Sequence, residues 1–136
     1  MKLPSSSLAK LWGVHLDMVR VVNRCAADWK DADTGFIVTC GLRTLEEQKI
    51  LKAKGASKTL RSRHLTGHAV DLACTIKGQV RWDWPLYDSL AKRIKAAAKA
   101  ENVLLEWGGD WVSFRDGPHF QLPWKQYPGT TKGSKC

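Results

Sequence analysis

SRHLTGHAVDL, residues 62–72, joins a loop to a predicted strand and decides which side chains can share one face of that strand. Successive side chains of a strand point to opposite faces, so Val70 and Leu72 share one face and Asp71 lies on the other. The two apolar residues are natural core residues. Asp71 is therefore predicted to face away from the core, where it can meet His64 from the incoming loop.

A second stretch with the same alternation, DGPHFQL, covers residues 116–122. As a strand it places Phe120 and Leu122 in the core, with His119 and Gln121 on the opposite face. Two histidines and one carboxylate form a ligand set of catalytic zinc sites, which keep a fourth position open for water. The two stretches together therefore suggest a zinc site at the face of the sheet.

His68 is a rival ligand, because it follows His64 by four residues and that spacing suits two ligands on one face of a helix. Gly67 between them and the strand-like run that follows argue against a helix there. Any two histidines and an aspartate drawn from 136 residues are a weak signal. On the residues alone, the triad stays one hypothesis among several.

The remaining chain alternates helical and strand patterns, which predicts an α+β domain with an antiparallel sheet flanked by helices. Thr44 and Glu47 form a capping box that begins one helix, and Pro85 suits the first turn of another. The predicted helices are 7–29 (one helix, or two pieces broken near Gly13), 44–55 and 85–100; the predicted strands are 35–41, 68–76, 79–82, 103–107 and 118–122; a turn covers 31–35 and a loop 56–67. We expect one catalytic domain over 1–136, with a core of about 7–122, a frayed tail over 126–136 and no second domain.

The chain carries a net charge of +9, with basic clusters over 49–63 and 92–99. This charge favours an anionic partner such as nucleic acid, anionic lipid or cell wall. No nucleic-acid motif accompanies the charge, so nucleic acid is not expected. No apolar run reaches the roughly 18 residues of a membrane span, and the N-terminus lacks the apolar region of a secretory signal.

Four cysteines, Cys25, Cys40, Cys74 and Cys136, form no CxxC pair. The first three lie in apolar stretches and are predicted to be reduced, buried hydrophobic residues.

The motifs resemble those of a known family of enzymes, the zinc D-alanyl-D-alanine peptidases. SRHLTGHAVD (62–71) resembles their S-x-H-x-x-G-x-A-x-D signature, and GLRTLEEQ (41–48) resembles their G-x-R-T-x-x-x-Q segment. Asp116 and His119 match their D/E-x-x-H element. WGGDW (107–111) is typical of the small phage branch, whose members are endolysins that cut the L-alanyl-D-glutamate bond. Several elements matching in order over about residues 7–122 make the resemblance specific.

Carried over residue by residue, the resemblance implies one zinc ion held by His64, Asp71 and His119. Asp116 takes the position of the general base, and Arg43 is placed to meet the scissile carbonyl oxygen. Three further residues are expected to contact substrate or support the site: Ser62, Asp110 and Trp111. The family pattern leaves His68 free, which weakens it as a ligand.

The resemblance implies a zinc-dependent endolysin that cuts the L-alanyl-D-glutamate bond of peptidoglycan stem peptides and lyses the host cell. A D-alanyl-D-alanine carboxypeptidase or dipeptidase is the alternative, since the ligand set is the same for both. A basic, non-enzymatic binding module is more distant. We expect a monomer that is made in the host cytoplasm without a signal peptide and does not insert into the membrane. It is expected to reach the wall after a separate protein permeabilises the membrane.

Overall fold

Residues 1–55 and 62–129, which the computed structural model describes, contain one five-stranded antiparallel sheet with helices packed against it. The elements in chain order are α1 Ser5–Lys10, α2 Leu16–Asp28, β1 Thr34–Cys40, α3 Leu45–Ala53, a 3-10 turn Arg63–Thr66, β2 Ala69–Ile76, β3 Gln79–Arg81, α4 Trp84–Ala100, β4 Glu106–Trp107, a second 3-10 turn Gly108–Asp110, and β5 His119–Gln121. The predicted α+β architecture is confirmed.

β2 is the central strand of this sheet. The strands are ordered β1-β2-β5-β4, and β3 pairs with the second half of β2 on the same side as β5. β1 pairs along almost the whole of β2, with an irregularity between Val38 and Cys40 where Thr39 is the extra residue. Such a bulge redirects the side chains that follow it.

The core lies on one face of the sheet, against α2 and α4. Val70, Leu72, Phe120 and Leu122 have no measurable exposure, as the strand alternation predicts. The helices contribute apolar residues at helical spacing, among them Met18 and Val22 from α2 and Leu90 and Ile94 from α4. Asp71, His119 and Gln121 are left on the other face.

The predicted N-terminal helix forms two pieces, α1 and α2, which agrees with the predicted arrangement that has a break near Gly13. Gly13 adopts a left-handed conformation (φ +79°) between α1 and α2. α2 then begins after His15, whose Nδ1 accepts a hydrogen bond from the Asp17 amide at 3.0 Å. The predicted capping box of α3 is also confirmed: Thr44 Oγ1 accepts from Glu47 N at 3.1 Å, and Glu47 Oε1 accepts from Thr44 N at 3.2 Å.

Three local predictions differ from the structure. The strand predicted over 103–107 is reduced to Glu106–Trp107. Part of the predicted loop 56–67 forms the 3-10 turn Arg63–Thr66, while 56–61 lies outside the described residues. The tail is not frayed at Tyr127, whose hydroxyl donates to Asp17 Oδ2 at 2.7 Å and whose carbonyl accepts from the buried Arg63 guanidinium. Residues 130–136 lie outside the described residues.

The cysteines divide into two kinds. Cys25 and Cys74 are buried as predicted, and burial raises the pKa of each thiol to about 12. Cys40 is only half-buried and lies on the face of the sheet that carries Asp71, so the prediction of a buried hydrophobic residue is wrong there. Cys136 lies outside the described residues.

Candidate active site

Asp71 is the centre of a cluster of polar side chains on the open face of the sheet. In the register of the strands it lies opposite Cys40 of β1 and opposite His119 of β5. Residues directly opposite each other in an antiparallel pair share a face. The sheet therefore brings together two stretches that are 48 residues apart in the chain.

The three predicted ligands lie together, with both histidines directed at one oxygen atom of Asp71. His64 Nε2 and His119 Nδ1 each lie 3.2 Å from Asp71 Oδ1. The two imidazole rings meet edge to face, with their centroids 5.0 Å apart. Both histidines are buried, whereas the Asp71 side chain is 23% exposed and opens the cluster to solvent.

His64 is held by the backbone on either side of it. It lies in the 3-10 turn that Ser62 caps, with Ser62 Oγ accepting from His64 N at 3.1 Å. Gly67 ends that turn at φ +75°, a conformation that favours glycine. His64 Nδ1 lies 2.8 Å from the Gly41 carbonyl oxygen, which can only accept, so Nδ1 carries a proton and Nε2 points at Asp71.

Gly41 has a steric reason to be glycine. A Cβ atom at this position would lie 1.9 Å from the Lys10 carbonyl oxygen. The close approach of the two backbone segments places the Gly41 carbonyl where it can orient His64.

His119 is oriented from the opposite direction. Its Nε2 lies 2.7 Å from Gln121 Oε1, the neighbouring side chain on the same face of β5. This contact occupies Nε2 and leaves Nδ1 directed at Asp71. The two histidines therefore present different nitrogens to the same point, each with its other nitrogen bonded to a protein group, as metal-binding histidines commonly are.

Asp116 joins the cluster from the loop that precedes β5. Its carboxylate lies within 4.8 Å of ligand atoms of Asp71 and His119. Its amide donates to the Gly108 carbonyl at 3.0 Å, and its carbonyl accepts from His119 N at 3.2 Å. A Cβ at Gly108 would lie 2.4 Å from the Asp116 carbonyl oxygen, so glycine allows this loop to approach.

Burial and neighbouring charges shift the pKa values of the side chains in this cluster. Burial lowers the pKa of His64, but hydrogen bonds to Asp71 and Cys40 outweigh burial and raise this pKa to about 10. Burial acts to raise the pKa of Asp71, yet hydrogen bonds from His119 and His64 hold it well below its usual range. Burial and then the charge of Asp71 raise the pKa of Asp116. Asp71 is therefore the permanent anion, while Asp116 takes a proton more readily than an ordinary aspartate.

Arg43 lies at the edge of the same cluster. Its Nη1 donates to Gln48 Oε1 at 2.6 Å, and its Nη2 lies 3.8 Å from Asp71 Oδ2. Gln48 is fully buried in α3, the helix that Thr44 caps. The segment GLRTLEEQ (41–48) thus forms a unit in which a capped helix holds the glutamine that orients the arginine.

The other predicted residues occupy different places. The Trp111 ring lies 5.2 Å from the His119 ring and borders the cluster. Asp110 pairs with Lys95 of α4 at 2.7 Å on the surface. His68 is directed away from the cluster: its Nδ1 lies 2.7 Å from Thr66 Oγ1 and its ring lies 5.2 Å from that of His15. The structure does not bring His68 to the predicted ligands.

Cys40 is a site residue that the sequence reasoning missed. Its Sγ lies 3.7 Å from His64 Nδ1 and 3.4 Å from Arg43 Nη2. Burial acts to raise the pKa of this thiol, but His64 and Arg43 outweigh burial and lower it. Its position depends on the bulge at Thr39, and strand alternation in the sequence carries no signal for that bulge.

Two overlapping groups of side chains could hold a metal ion within the described part of the chain: Cys40, His64 and Asp71, and Asp71, Asp116 and His119. A cavity of about 200 Å³ opens beside Asp116, lined by Trp82, Trp84, Tyr87, Arg115, Gly117 and Pro118.

None of the described helices is long and apolar enough to cross a membrane.

These features define a class of protein: a small α+β domain with a histidine–aspartate cluster of metal-ligand type on the open face of its sheet. Residues 1–122 match the phage L-alanyl-D-glutamate peptidase family, and the chain belongs to that family. The family resemblance read from the motifs is confirmed.

Individual relatives come from phages and bacteria. The L-alanyl-D-glutamate peptidase of Listeria phage A118 is 38% identical over 118 residues, which cover 86% of this chain and 41% of the relative. The peptidoglycan L-alanyl-D-glutamate endopeptidase CwlK of Bacillus subtilis (strain 168) is 31% identical over 100 residues, which cover 63% of this chain and 59% of the relative. The chain therefore matches only about two fifths to three fifths of the length of these curated relatives.

A solved structure matches the whole fold. The crystal structure of the Serratia marcescens L-Ala D-Glu endopeptidase ChiX aligns with a TM-score of 0.84 and 40% identity, covering 95% of each chain.

Proposed function

We propose that this chain is a zinc-dependent endopeptidase that hydrolyses the L-alanyl-D-glutamate bond of peptidoglycan stem peptides. The observation that carries the proposal is the convergence of His64 Nε2 and His119 Nδ1 on Asp71 Oδ1, each at 3.2 Å. The names of the family, of CwlK and of ChiX support the choice of bond.

The donor set fits zinc. Bonds of about 2.0–2.1 Å at tetrahedral angles place neighbouring donor atoms roughly 3.3 Å apart. Both nitrogen-to-oxygen separations in the cluster are 3.2 Å. We propose that His64, Asp71 and His119 would hold one zinc ion, on the face of the sheet where the Asp71 side chain is open to solvent. When bound, zinc supplies the Lewis acid that activates water and polarises the scissile carbonyl.

Asp116 is proposed to move the proton. Its carboxylate borders Asp71 and His119, and its raised pKa suits a group that accepts a proton from the attacking water and returns it to the leaving amine. Arg43 is proposed to bind the oxyanion that develops on the carbonyl oxygen, because Gln48 holds its guanidinium at the edge of the cluster. Ser62 supports the backbone of His64, and Trp111 borders the site beside His119.

The partner is proposed to be the bacterial wall. A net charge of +9 favours an anionic polymer, which supports peptidoglycan as the binding partner. We propose that the protein acts as a monomer. We propose that the protein acts on the wall after another protein has permeabilised the membrane.

Digestion of purified peptidoglycan followed by mass spectrometry of the muropeptides tests the bond. New amino-terminal D-glutamate ends are expected. Released D-alanine would instead show a D-alanyl-D-alanine peptidase, and no cleavage by zinc-loaded protein would contradict the proposal.

Asp116→Asn tests the proton carrier. The change is expected to lower kcat by about 10²–10⁴ because it removes the general base. Bound zinc, measured by atomic absorption, is expected to stay at one per chain. Asp88→Asn, at an exposed position on α4, is the matched control and should retain full activity. Full activity of Asp116→Asn would refute the assignment.

Two further variants identify the ligands. His64→Ala is expected to lose zinc, while Cys40→Ala is expected to retain it, because Sγ of Cys40 lies beside His64 Nδ1 rather than beside Nε2. Loss of zinc from Cys40→Ala would place the ion in the group formed by Cys40, His64 and Asp71.

A further inference from the structure

Gln121 connects His119 to an acidic residue on the edge of the sheet. Its Oε1 lies 2.7 Å from His119 Nε2, and its Nε2 donates to Glu106 Oε2 at 3.2 Å. Glu106 and Gln121 lie directly opposite each other where β4 pairs with β5. On its other side Gln121 lies opposite Ala69 of β2.

The two ends of the Gln121 amide differ chemically. The NH₂ group donates and the carbonyl oxygen accepts. The Glu106 carboxylate can only accept, so it draws the NH₂ end toward itself. The carbonyl end is thereby turned toward His119.

This orientation selects the nitrogen that His119 offers to a metal. Gln121 Oε1 carries no hydrogen, so His119 Nε2 must donate its proton there. The proton on Nε2 is therefore kept when a metal binds, and the lone pair that the metal takes is on Nδ1. Nδ1 is the nitrogen 3.2 Å from Asp71 Oδ1. If the amide were reversed, its NH₂ would face Nε2 and favour a proton on Nδ1, which could not then bind a metal.

We propose that Glu106 is a positioning residue for the metal site: through Gln121 it sets the tautomer of His119 and so the affinity for zinc. The inference rests on the proposed zinc function, because it concerns the nitrogen that binds the ion. Glu106 is exposed whereas Gln121 is buried, so a surface residue of β4 determines the orientation of a buried amide. A contact made by an exposed carboxylate contributes little to folding, which separates its effect on zinc from an effect on stability.

The test uses the complete chain, with zinc affinity measured by competition with a chelator. Glu106→Lys replaces the acceptor with a donor and draws the carbonyl end of Gln121 toward position 106. Its zinc Kd is expected to rise about 10- to 100-fold, the usual effect of disturbing a group that orients a ligand. Glu106→Gln can accept or donate, so about half the molecules keep the working orientation and Kd is expected to rise about twofold.

Asp88→Lys is the matched control, since it makes the same change of charge at an exposed position on α4. Its Kd is expected to stay near that of the unmodified chain. The measurements are repeated at 0.1 M and 1 M salt, where the Debye length falls from about 10 Å to 3 Å. A loss caused by the orientation of the amide persists at high salt, whereas simple repulsion of zinc by a lysine is screened.

A double variant provides a rescue. In Glu106→Lys with Gln121→Glu, the carboxylate at position 121 accepts from both neighbours and has no orientation to lose. Its zinc Kd is expected to return to within about threefold of the original, because carboxylate partners of metal-binding histidines are common.

The outcomes are separable. If the unmodified chain binds no zinc, the proposed function fails and this inference with it. If the unmodified chain binds zinc and Glu106→Lys binds it equally well, or weakens only at low salt, the inference alone is overturned. Thermal unfolding of the zinc-free variants checks the fold, and equal melting temperatures with unequal zinc Kd values support the positioning role.

Discussion

Zinc binding at neutral pH is expected to release at least one proton, and His64 is the source. In the metal-free cluster Nδ1 of His64 donates to the Gly41 carbonyl at 2.8 Å, and Nε2 lies 3.2 Å from Asp71 Oδ1. A second proton on Nε2 makes the ring a cation beside a carboxylate. The pKa of about 10 refers to the loss of this second proton. The cation has no lone pair with which to bind a metal.

The size of the effect follows from that pKa. Between pH 10 and pH 7 the protonated ring competes with zinc over three pH units, since the pKa of His64 is about 10. One unit corresponds to 1.36 kcal/mol, so competition costs about 4 kcal/mol of zinc affinity at pH 7. Because the protonated His64 ring cannot bind the metal, zinc affinity increases with pH. It rises about tenfold for each pH unit and levels off near the pKa of His64. Asp71 stays ionised throughout, because its pKa lies below its usual range.

The assay has two parts. Competition with a chelator of known pH dependence gives the zinc Kd at pH 6, 7 and 8, and calorimetry at pH 7 in two buffers of different ionisation enthalpy counts the protons released. A zinc Kd that is constant between pH 6 and 8, together with no release of protons, would show that His64 is neutral in the metal-free protein. The Gly41 carbonyl and Asp71 would then not hold two protons on the His64 ring.

Three substitutions test other parts of the structure. Arg43→Ala is expected to lower kcat by about 10²–10³ through loss of an oxyanion donor, with zinc content unchanged; an undiminished kcat in a steady-state assay would remove Arg43 from the mechanism. Phe120→Ala, at a fully buried core position, is expected to lower the free energy of unfolding by about 3–5 kcal/mol, and a loss below 1 kcal/mol in urea denaturation would place this side chain outside the core. Gly41→Ala puts a Cβ 1.9 Å from the Lys10 carbonyl oxygen and is expected to lower the free energy of unfolding by about 1–3 kcal/mol. Zinc binding is expected to weaken as well, because the Gly41 carbonyl that orients His64 moves. A lower melting temperature with an unchanged zinc Kd would show that this carbonyl does not control His64.

Local patterns were reliable where local physics decides the outcome. The alternation of Val70, Asp71 and Leu72 predicted which side chain leaves the core, and the structure confirms it, because the period of a strand is a property of its backbone. The Thr44–Glu47 capping box likewise began α3 where predicted. Such features depend on residues a few positions apart, and these lie close together in any structure that the segment adopts.

Contacts between distant parts of the chain could not be predicted from local patterns. Composition predicts a frayed tail at Tyr127, yet this residue bonds to Asp17 and Arg63, which lie 110 and 64 residues away in the chain. Asp110 in the GGDW run pairs with Lys95 of α4 on the surface, a contact that the run itself does not predict. Neither contact has a signature in the sequence, because both depend on how α2, α4 and the C-terminal segment pack.

The sequence by itself determined most of the helices and strands, the core faces of β2 and β5 and, through family motifs, the side chains proposed as metal ligands. Only the tertiary structure decided which atoms those side chains present. His64 offers Nε2 because the Gly41 carbonyl, held against Lys10, occupies Nδ1, and His119 offers Nδ1 because Gln121 occupies Nε2. The nitrogen that a histidine presents depends on the partner of its other nitrogen, and that partner is supplied by the packing of distant segments rather than by neighbours in the chain.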